Sequence, residues 1–503
     1  MKLIILITNQ LFEKSPILDN LEDDDEIILY EHPVHFTDFN YHKMKLVMHR
    51  STMKFYYDYL EKNIDNKIRY LEFNESLEKE IKKNKKIEKI LVYNPIDHYI
   101  MNEYLDISKK NKIELELFDN PGNICKLEDY QEYINQSKNK NPFFHHSFYV
   151  WCRRKYDILM KNNNPIGDKW SFDEENRLPF PKNYKEDINF KIKENKYLKE
   201  AKKYVNKNFK NNHGSDEYYL PIDFTGAKAH LKKFLKERLN NFGPYEDAVS
   251  EKIIFGTHSV LSPLINIGLI TPNFIIEEVN KFYKENKTKI QSVEGYIRQL
   301  FWREFCILVY FYKYNELDSM NYFNHKNKLD KTWYNGETSF KLINDLIEKA
   351  LKYGWLHHIE RLMYIGNFML ITKTNPKDVY KWFMELFIDA YPWVMYPNVY
   401  GMSQHSAGPI MMKRPYFSSS NYIDKMSTYK KKEGVNKIII DSTEYEWYEI
   451  WDGLYYNFIN DNSKILEKNY STANIVSIWK KKSKEDSQNL LNIANKYIKK
   501  YIN

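Results

Sequence analysis

The chain opens with a short apolar run, Leu3-Ile4-Ile5-Leu6-Ile7-Thr8, which follows a single lysine. A run of this length is too short for the core of a signal peptide or for a membrane span. It is typical of a buried β-strand. We therefore predict a first strand at residues 3–8, and we expect neither a secretion signal nor a membrane anchor.

Similar runs recur through the first quarter of the chain. Residues 26–30, 87–93 and 112–117 are apolar stretches of strand length, and residues 41–63 show helical apolar spacing. Strands that alternate with helices predict a parallel sheet with helices on both faces. The glycine fingerprint of a dinucleotide site, G-x-G-x-x-G, is missing from the sequence. We expect a Rossmann-like α/β domain over residues 1–130.

The pattern changes twice after this region. Residues 131–225 are polar and carry turn signals at 137–142, 162–165 and 178–182, so we predict a connector with some helix on the surface. Apolar residues then recur at helical spacing in residues 227–239, 293–314, 338–351 and 376–387. Residues 226–503 are therefore predicted to form an all-α domain.

The net charge and the cysteine content indicate the kind of binding partner and the redox compartment. The net charge is +8 and the pI is about 8.8, a mild excess that suits a polyanionic partner. Cys125, Cys152 and Cys306 lie far apart in the sequence, without a C-x-x-C spacing, and cannot form a disulfide framework. We expect a reducing compartment that contains DNA, such as the cytoplasm or a nucleoid.

Two adjacent histidines stand in the segment Trp355-Leu356-His357-His358-Ile359-Glu360-Arg361. Neighbouring side chains on a helix point about 100° apart, so these imidazoles cannot chelate one metal side by side. We predict no metal site. Proton transfer is the functional interpretation of the pair. A hydrogen-bonded structural pair is the other, and spacing alone favours it.

Several long motifs occur in order along nearly the whole chain. They are Ile-Thr-Asn-Gln-Leu at 7–11, Pro-Ile-Gly-Asp-Lys-Trp-Ser-Phe-Asp-Glu-Glu-Asn-Arg at 165–177, Phe-Gly-Pro-Tyr-Glu-Asp-Ala at 242–248, His-Ser-Val-Leu-Ser-Pro at 258–263, and Glu-Gly-Tyr-Ile-Arg-Gln with Trp-Arg-Glu-Phe at 294–305. Together with the histidine segment they resemble the iron–sulfur bacterial cryptochromes and photolyases, the prokaryotic (6-4) photolyase branch. This resemblance implies an α/β antenna domain and a helical domain that binds FAD. It also implies light-driven splitting of pyrimidine dimers in UV-damaged DNA.

The resemblance assigns a set of cofactor-binding residues. They are Tyr245, Ser259, Leu261, Ser262, Arg303, Arg361, Asp389, Met395, Asn398 and Met402. Ser259 and Ser262 match the loop for the FAD phosphates. The alternative is a serine helix cap, which can hold at the same time. Arg361 and Asp389 match an ion pair beside the flavin ring. Met395 faces flavin N5 where relatives carry Asn or Glu, and a thioether is only a weak acceptor there.

The resemblance also assigns the residues that meet the lesion. His357, His358 and Tyr416 match catalytic positions of the (6-4) enzymes, with His358 as the proton donor. Trp302 is a candidate platform for the flipped dimer, although a tryptophan on an apolar helix is more often a core residue. Lys413 and Arg414 are expected to bind nearby phosphates.

Two further groups come from the resemblance alone. Trp382, Tyr391 and Trp333 match the photoreduction chain, although the sequence alone would favour core aromatics at Trp382 and Tyr391. Asn9 and Glu31 match residues that line the antenna site, where a ribityl-lumazine (6,7-dimethyl-8-ribityllumazine) is expected. Asn9 replaces the usual Asp, and an empty cleft with polar strand ends is the alternative.

The family's four cluster cysteines are replaced. Their positions fall on Lys341, Lys430, Glu433 and Glu449. Without thiolates no iron–sulfur cluster can form, so we expect FAD without a cluster. Two lysines and two glutamates at one place suggest the hypothesis that they form ion pairs with one another.

The combined prediction is a monomeric DNA photolyase. The histidine pair favours (6-4) photoproducts, and cyclobutane pyrimidine dimers are the second candidate substrate. A cryptochrome-type blue-light sensor without repair is a third interpretation. The lesion-side residues His358, Tyr416 and Arg414 argue against it, and the flavin-side residues argue against a non-catalytic DNA-binding relic.

Overall fold

The first part of the chain folds around a five-stranded parallel sheet. The computed structural model describes residues 1–137, 141–186, 190, 192–432, 434 and 436–502. Its strands are β1 (Lys2–Ile7), β2 (Glu26–Tyr30), β3 (Lys67–Leu71), β4 (Lys89–Tyr93) and β5 (Glu114–Phe118), in the order β3-β2-β1-β4-β5. The prediction of a parallel α/β region is confirmed. The apolar pattern does not reveal β3, because this edge strand carries Lys67 and Arg69 between its apolar residues.

The two faces of the sheet pack against different layers. Leu3, Ile5 and Val92 lie on the face that packs against helices Leu77–Lys83 and His98–Asn111. Ile4, Leu6 and their neighbours on β2 point to the opposite face, towards helix Lys43–Asn63. The core on this second face continues without a break into the helical part of the chain. The α/β part and the helical part therefore share one hydrophobic core.

Residues 131–225 contribute more to this core than a surface connector would. They contain helices His145–Lys155 and Lys196–Asn208, and the second of these packs along helix Lys43–Asn63. The first brings Cys152 to within 3.9 Å of Cys125, measured between the sulfur atoms. The three cysteines are therefore not all far apart in space, because the chain folds back after β5.

The remainder of the chain is almost entirely helical, as predicted. Its longest helix, Ile290–Ser319, runs through the centre with most of its residues buried. The other helices before residue 360 are Leu127–Gln136, Phe224–Glu237, Leu239–Tyr245, Ser262–Asn266, Pro272–Glu285, Thr332–Asn335 and Lys341–Tyr353. Those after it are Asn367–Ile371, Pro376–Leu386, Pro392–Tyr396, Ser420–Met426, Trp447–Asp461, Ser463–Leu466, Tyr470–Lys480 and Lys484–Tyr501.

Several short elements interrupt the helical pattern. Two π-helices, Glu360–Gly366 and Pro397–Ser403, lie near each other, and such π-helical turns are frequent at functional sites. Strands Lys437–Ile440 and Thr443–Glu446 form an antiparallel hairpin, and Met160–Lys161 pairs with Asn164–Pro165. Single 3₁₀ turns lie at Pro16–Leu18, Pro33–His35 and Asp173–Glu175.

The expected ion pairs between the replaced cysteine positions do not form among the described residues. Lys341 instead pairs with Glu251 and Asp345, at 2.5 Å and 2.6 Å. The Lys430 ammonium donates to the Asp424 carbonyl, and Glu449 accepts the Glu446 main-chain N–H as a helix cap. Glu433 lies outside the described residues. Lys341, Lys430 and Glu449 therefore bind other groups and form no ion pairs with one another, and the pairs that involve Glu433 stay a prediction.

Two searches of the described residues give negative results. None of their helices is long and apolar enough to cross a membrane. No three His, Cys, Asp or Glu side chains within this part of the chain are grouped so that they could hold a metal ion.

Candidate active site

A buried ion pair forms the centre of the candidate site. The guanidinium of Arg361 donates two hydrogen bonds to the carboxylate of Asp389, at 2.9 Å and 3.0 Å. Its third donor, Nε, binds the Leu356 carbonyl at 2.7 Å, and its face lies 4.0 Å from the ring centre of Phe387. A bidentate pair of this kind is rigid, since both planar groups are fixed.

One glycine brings the two charged segments together. Gly354 ends helix Lys341–Tyr353 with a φ of +58°, and its carbonyl accepts the main-chain N–H of Ile388 at 2.9 Å. A Cβ atom at this position would lie 2.5 Å from the Ile388 side chain. Only glycine therefore allows the turn that sets Arg361 opposite Asp389.

Hydrogen bonds extend the pair into a wider network. Ser262 Oγ donates to the Asp389 carboxylate at 2.7 Å, and Asn266 donates to the Asp389 main-chain carbonyl at 2.9 Å. Arg303 donates to the Asn266 side-chain oxygen at 3.0 Å, with its guanidinium 4.7 Å from the Trp393 ring centre. The structure thus joins four of the predicted cofactor residues. Asn266 was not predicted, although its place one turn after Ser262 on a helix is visible in the sequence.

The loop before Ser262 carries buried polar atoms without partners. Val260, a β-branched residue, has a φ of +56°, which is a strained conformation often found at functional sites. Thr257 Oγ1 and Tyr296 Oη are buried near this loop and have no hydrogen-bond partner among the described residues. His230 holds the Ser259 carbonyl at 2.7 Å. Unpartnered buried donors are costly, so this loop fits a polar group such as a cofactor phosphate.

The other predicted cofactor residues lie on elements that surround this network. Leu261, Met395 and Met402 are fully buried, and the ring of Tyr245 is half-buried 5.9 Å from that of Phe180. Asn398 is the second residue of the second π-helix and donates to the Val394 carbonyl at 2.8 Å. Its amide also faces the sulfur of Cys306 at 3.5 Å.

The two adjacent histidines have different surroundings. The His357 ring is buried and stacks on His258 at 4.6 Å between ring centres, and its main-chain N–H binds Glu360 at 3.0 Å. The His358 ring is accessible to solvent, yet the surrounding protein still desolvates it and lowers its pKa to about 4. The Arg361 charge lowers this pKa further. His357 is therefore packed like a structural residue, whereas His358 faces open space.

Charged residues surround Tyr416 near the surface. Its ring is half-buried, and burial raises the pKa of its hydroxyl, with the charge of Asp173 as the next cause and that of Arg414 opposing it. Burial and the Asp173 charge also raise the pKa of Asp247 to about 6. Lys413 and Arg414 are exposed, and the Lys413 ammonium lies 5.2 Å from the Phe144 ring centre.

Trp302 already has one face covered. His145 stacks on it in parallel, with 3.7 Å between ring centres and 1° between ring planes. A base could therefore stack only on the opposite face of the indole.

The predicted aromatic chain is divided in space. Trp382 contacts Trp333 at 6.2 Å between ring centres, and its indole N–H donates to the Trp333 carbonyl at 2.7 Å. Phe387 packs between Trp382 and the guanidinium of Arg361. Among the described residues, no ring contact joins Tyr391 to either tryptophan; its hydroxyl instead bonds to His49 at 2.9 Å.

The two predicted antenna residues differ in availability. Glu31 is fully buried and accepts hydrogen bonds from Arg50 at 2.8 Å, Tyr70 at 2.6 Å and Tyr204 at 3.0 Å. Its carboxylate is therefore fully used by the protein. The side-chain oxygen of Asn9, at the carboxyl end of β1, is buried and has no partner among the described residues.

Comparisons with known proteins agree with this architecture. The family described as "Deoxyribodipyrimidine photo-lyase-related protein" matches residues 4–219, and "FAD binding domain of DNA photolyase" matches residues 296–435. A (6-4) photolyase of Agrobacterium fabrum is 27% identical over 517 aligned residues, covering 99% of both chains.

Solved structures give the same fold. A bacterial class III photolyase from Agrobacterium tumefaciens superposes with a TM-score of 0.57 at 15% identity, covering 99% of this chain and 97% of that one. A cryptochrome from Synechocystis superposes with a TM-score of 0.55 at 15% identity, covering 97% of this chain and 93% of that one. The predicted fold, an α/β domain followed by a helical domain, is confirmed.

Proposed function

Because the chain belongs to the cryptochrome/photolyase superfamily, we propose that it is a DNA photolyase that uses light and reduced FAD to split UV-induced pyrimidine dimers. One observation carries the proposal. Ser262, Asn266, Arg303, Arg361 and Asp389 form a single hydrogen-bonded network beside a strained loop with unpartnered buried polar atoms. The proposed substrate is the (6-4) photoproduct, and the cyclobutane dimer is the alternative.

The protein's part in the reaction is to bind and orient. Bound FAD supplies the light absorption and the one-electron chemistry. Ser259 through its hydroxyl and Ser262 through its main-chain N–H would hold its phosphates, since the Ser262 hydroxyl already donates to Asp389. The Arg361–Asp389 pair would fix the ring, since both charged groups are already immobilised. Leu261, Met395 and Met402 are buried and would keep water from the ring, with Asn398 as the polar neighbour.

The lesion would enter between the charged surface and the histidines. Lys413 and Arg414 would bind the DNA phosphates, because both are exposed cations. Tyr416 would contact the flipped dimer, and the face of Trp302 opposite His145 would support it. We propose that His358 donates a proton from a ring N–H to the oxygen that is transferred during repair. His357 would hold the turn through its stack on His258.

We place an antenna at the carboxyl ends of the strands. Open α/β sheets bind ligands outside these ends, where the strand order reverses. The unpartnered buried atoms Thr8 Oγ1, Asn9 Oδ1, His35 Nδ1 and His49 Nδ1 occur there, and they can hydrogen-bond a ribityl-lumazine. The carboxylate of Glu31 already accepts hydrogen bonds from other side chains of the protein. We therefore propose that Asn9 and these histidines, and not Glu31, contact the antenna chromophore. No iron–sulfur cluster is part of the proposal, since lysine and glutamate replace the thiolates.

The function is tested with the purified protein. We expect that extraction of the purified protein yields FAD. If a second chromophore is present, we expect it to be a lumazine. We expect no stoichiometric iron or sulfide. After reduction, blue light should convert oligonucleotides with a defined (6-4) photoproduct to undamaged DNA, and dark controls should not change. Repair of cyclobutane dimers alone would select the alternative substrate. Light-driven flavin reduction without repair of either lesion would contradict the photolyase assignment.

Replacement of Trp382 by phenylalanine is expected to slow photoreduction strongly. One electron would pass from the Trp382 indole to the photoexcited cofactor, and Trp333 would then reduce the oxidised Trp382, with an added thiol as the final reductant. Phenylalanine is much harder to oxidise and keeps an aromatic ring at this buried position. The measurement is the rate of flavin reduction under blue light with a thiol present.

Trp479 provides the matched control for this variant. It stacks on Tyr456 in the C-terminal helices, so W479F should reduce its flavin at the wild-type rate. Equal rates for W382F and wild type would remove Trp382 from the path. If Tyr391→Phe slowed flavin photoreduction as much as W382F does, the separation of Tyr391 from the two tryptophans would be contradicted as a guide to the electron path.

A further inference from the structure

Arg238 is a buried cation that forms no salt bridge with any carboxylate of the described residues. It follows helix Phe224–Glu237, and its side chain and main chain are together only 6% exposed. One guanidinium nitrogen donates to the His258 carbonyl at 2.5 Å. Its Nε and second terminal nitrogen are buried and have no hydrogen-bond partner among the described residues. Burial lowers its pKa to about 10, so the group still carries its charge at neutral pH.

Glu186, one of two glutamates whose charge acts on Arg238, binds elsewhere. Glu186 accepts three successive main-chain N–H groups, those of Ile254 at 2.7 Å, Phe255 at 2.6 Å and Gly256 at 2.8 Å. Successive N–H groups that converge in this way form an anion-binding nest. Glu186 therefore saturates the nest and forms no ion pair with Arg238, while it fixes the shape of the loop that leads to Ser259.

The unpaired donors of Arg238 belong to the same loop as the proposed phosphate site. Arg238 holds the carbonyl of His258, and His230 holds that of the next residue, Ser259. A buried charge that no described carboxylate contacts is unfavourable, so this position fits an anion that arrives with a ligand. A guanidinium with two free N–H donors matches the oxygens of a phosphate.

We infer that Arg238 binds the diphosphate of the flavin cofactor, together with Ser259 and Ser262. This inference rests on the proposed function, because it assigns a further residue to that site. Neither the composition nor the motifs of the sequence single out Arg238, since it appears there as one more basic residue at the end of a helix.

The experiment compares flavins with and without a diphosphate. Deflavinated full-length protein is titrated with FAD and with riboflavin, and flavin fluorescence reports binding. We expect Arg238→Gln to weaken FAD binding by about 10- to 100-fold, the usual effect of losing a charge-assisted hydrogen bond. Riboflavin binding should be unchanged. Inorganic pyrophosphate should compete with FAD in the wild type and much less in the variant.

Two further variants separate charge from structure. Arg238→Lys keeps the charge and should retain most of the FAD affinity. Lys233→Gln removes a positive charge from an exposed position of the same helix and should behave as wild type. If R238Q binds FAD as tightly as wild type, or loses FAD and riboflavin equally, Arg238 is a structural residue and the inference is wrong. A wild-type protein that binds no FAD would end the proposed function as well.

Discussion

Asp389→Ala is expected to yield a protein that retains little or no FAD and unfolds more easily than wild type. Asp389 is the only partner of the two terminal nitrogens of Arg361 among the described residues, and it also accepts the hydroxyl of Ser262. Removal of one member of a buried pair leaves an uncompensated charge, which costs about 3–5 kcal/mol. Arg361 would then lose the orientation that the proposed flavin contact requires.

The measurements for Asp389 are the flavin-to-protein absorbance ratio and the free energy of unfolding in urea. Asp389→Asn is the milder variant, because it keeps the shape and one acceptor, and it should show a smaller loss of both. Asp461→Asn is the control, since Asp461 pairs with Lys373 at the surface. A surface pair contributes at most about 1 kcal/mol. Unchanged FAD content and stability in D389N would show that the pair does not support the cofactor.

The parts of the fold that the sequence predicts are those with a strong apolar period. The run at residues 3–8 overlaps β1, and the predicted strands at 26–30 and 87–93 correspond to β2 and β4, because buried parallel strands must be apolar on both faces. The predicted strand at 112–117 overlaps β5, an edge strand whose leucines alternate with glutamates. Strand β3 lies at the sheet edge, where charged residues are tolerated, and its pattern is therefore weak. The sequence does not predict how much the connector at residues 131–225 contributes to the hydrophobic core, because only three residues of helix Lys196–Asn208 are buried.

From the sequence, only those site residues that lie in a recognised motif could be predicted. The Arg361–Asp389 pair spans 28 positions, and no periodicity indicates that distant charges will meet. Asn266 and Arg238 were missed for the same reason, since their roles depend on loops that place carbonyls next to them. Lys341 forms no ion pair with Glu449 because a nearer partner, Asp345, lies one turn after it in the same helix.

His358→Ala is expected to lower the rate of (6-4) photoproduct repair by at least about 100-fold, which is the usual contribution of a general acid. FAD binding should remain, because no hydrogen bond joins His358 to the network of Arg361 and Asp389 among the described residues. If cyclobutane dimers are also repaired, their repair should be much less affected, since splitting them needs no proton for a transferred oxygen. His146→Ala is the control, because His146 is another exposed histidine.

The pH dependence of repair gives a second, independent test of His358. With a pKa of about 4, only about one molecule in a thousand carries the imidazolium at pH 7 in the absence of DNA and flavin. The negative charges of bound DNA and reduced flavin favour the protonated ring and should raise this pKa. The donor is competent only when protonated, so repair should fall as pH rises through the pKa of the complex. The repair rate is measured from the product formed after timed illumination at pH values between about 6 and 9. This range lies above the acid range in which buried neutral histidines would have to become protonated. A rate that rises with pH, or one that is unchanged in H358A, would exclude His358 as the proton donor.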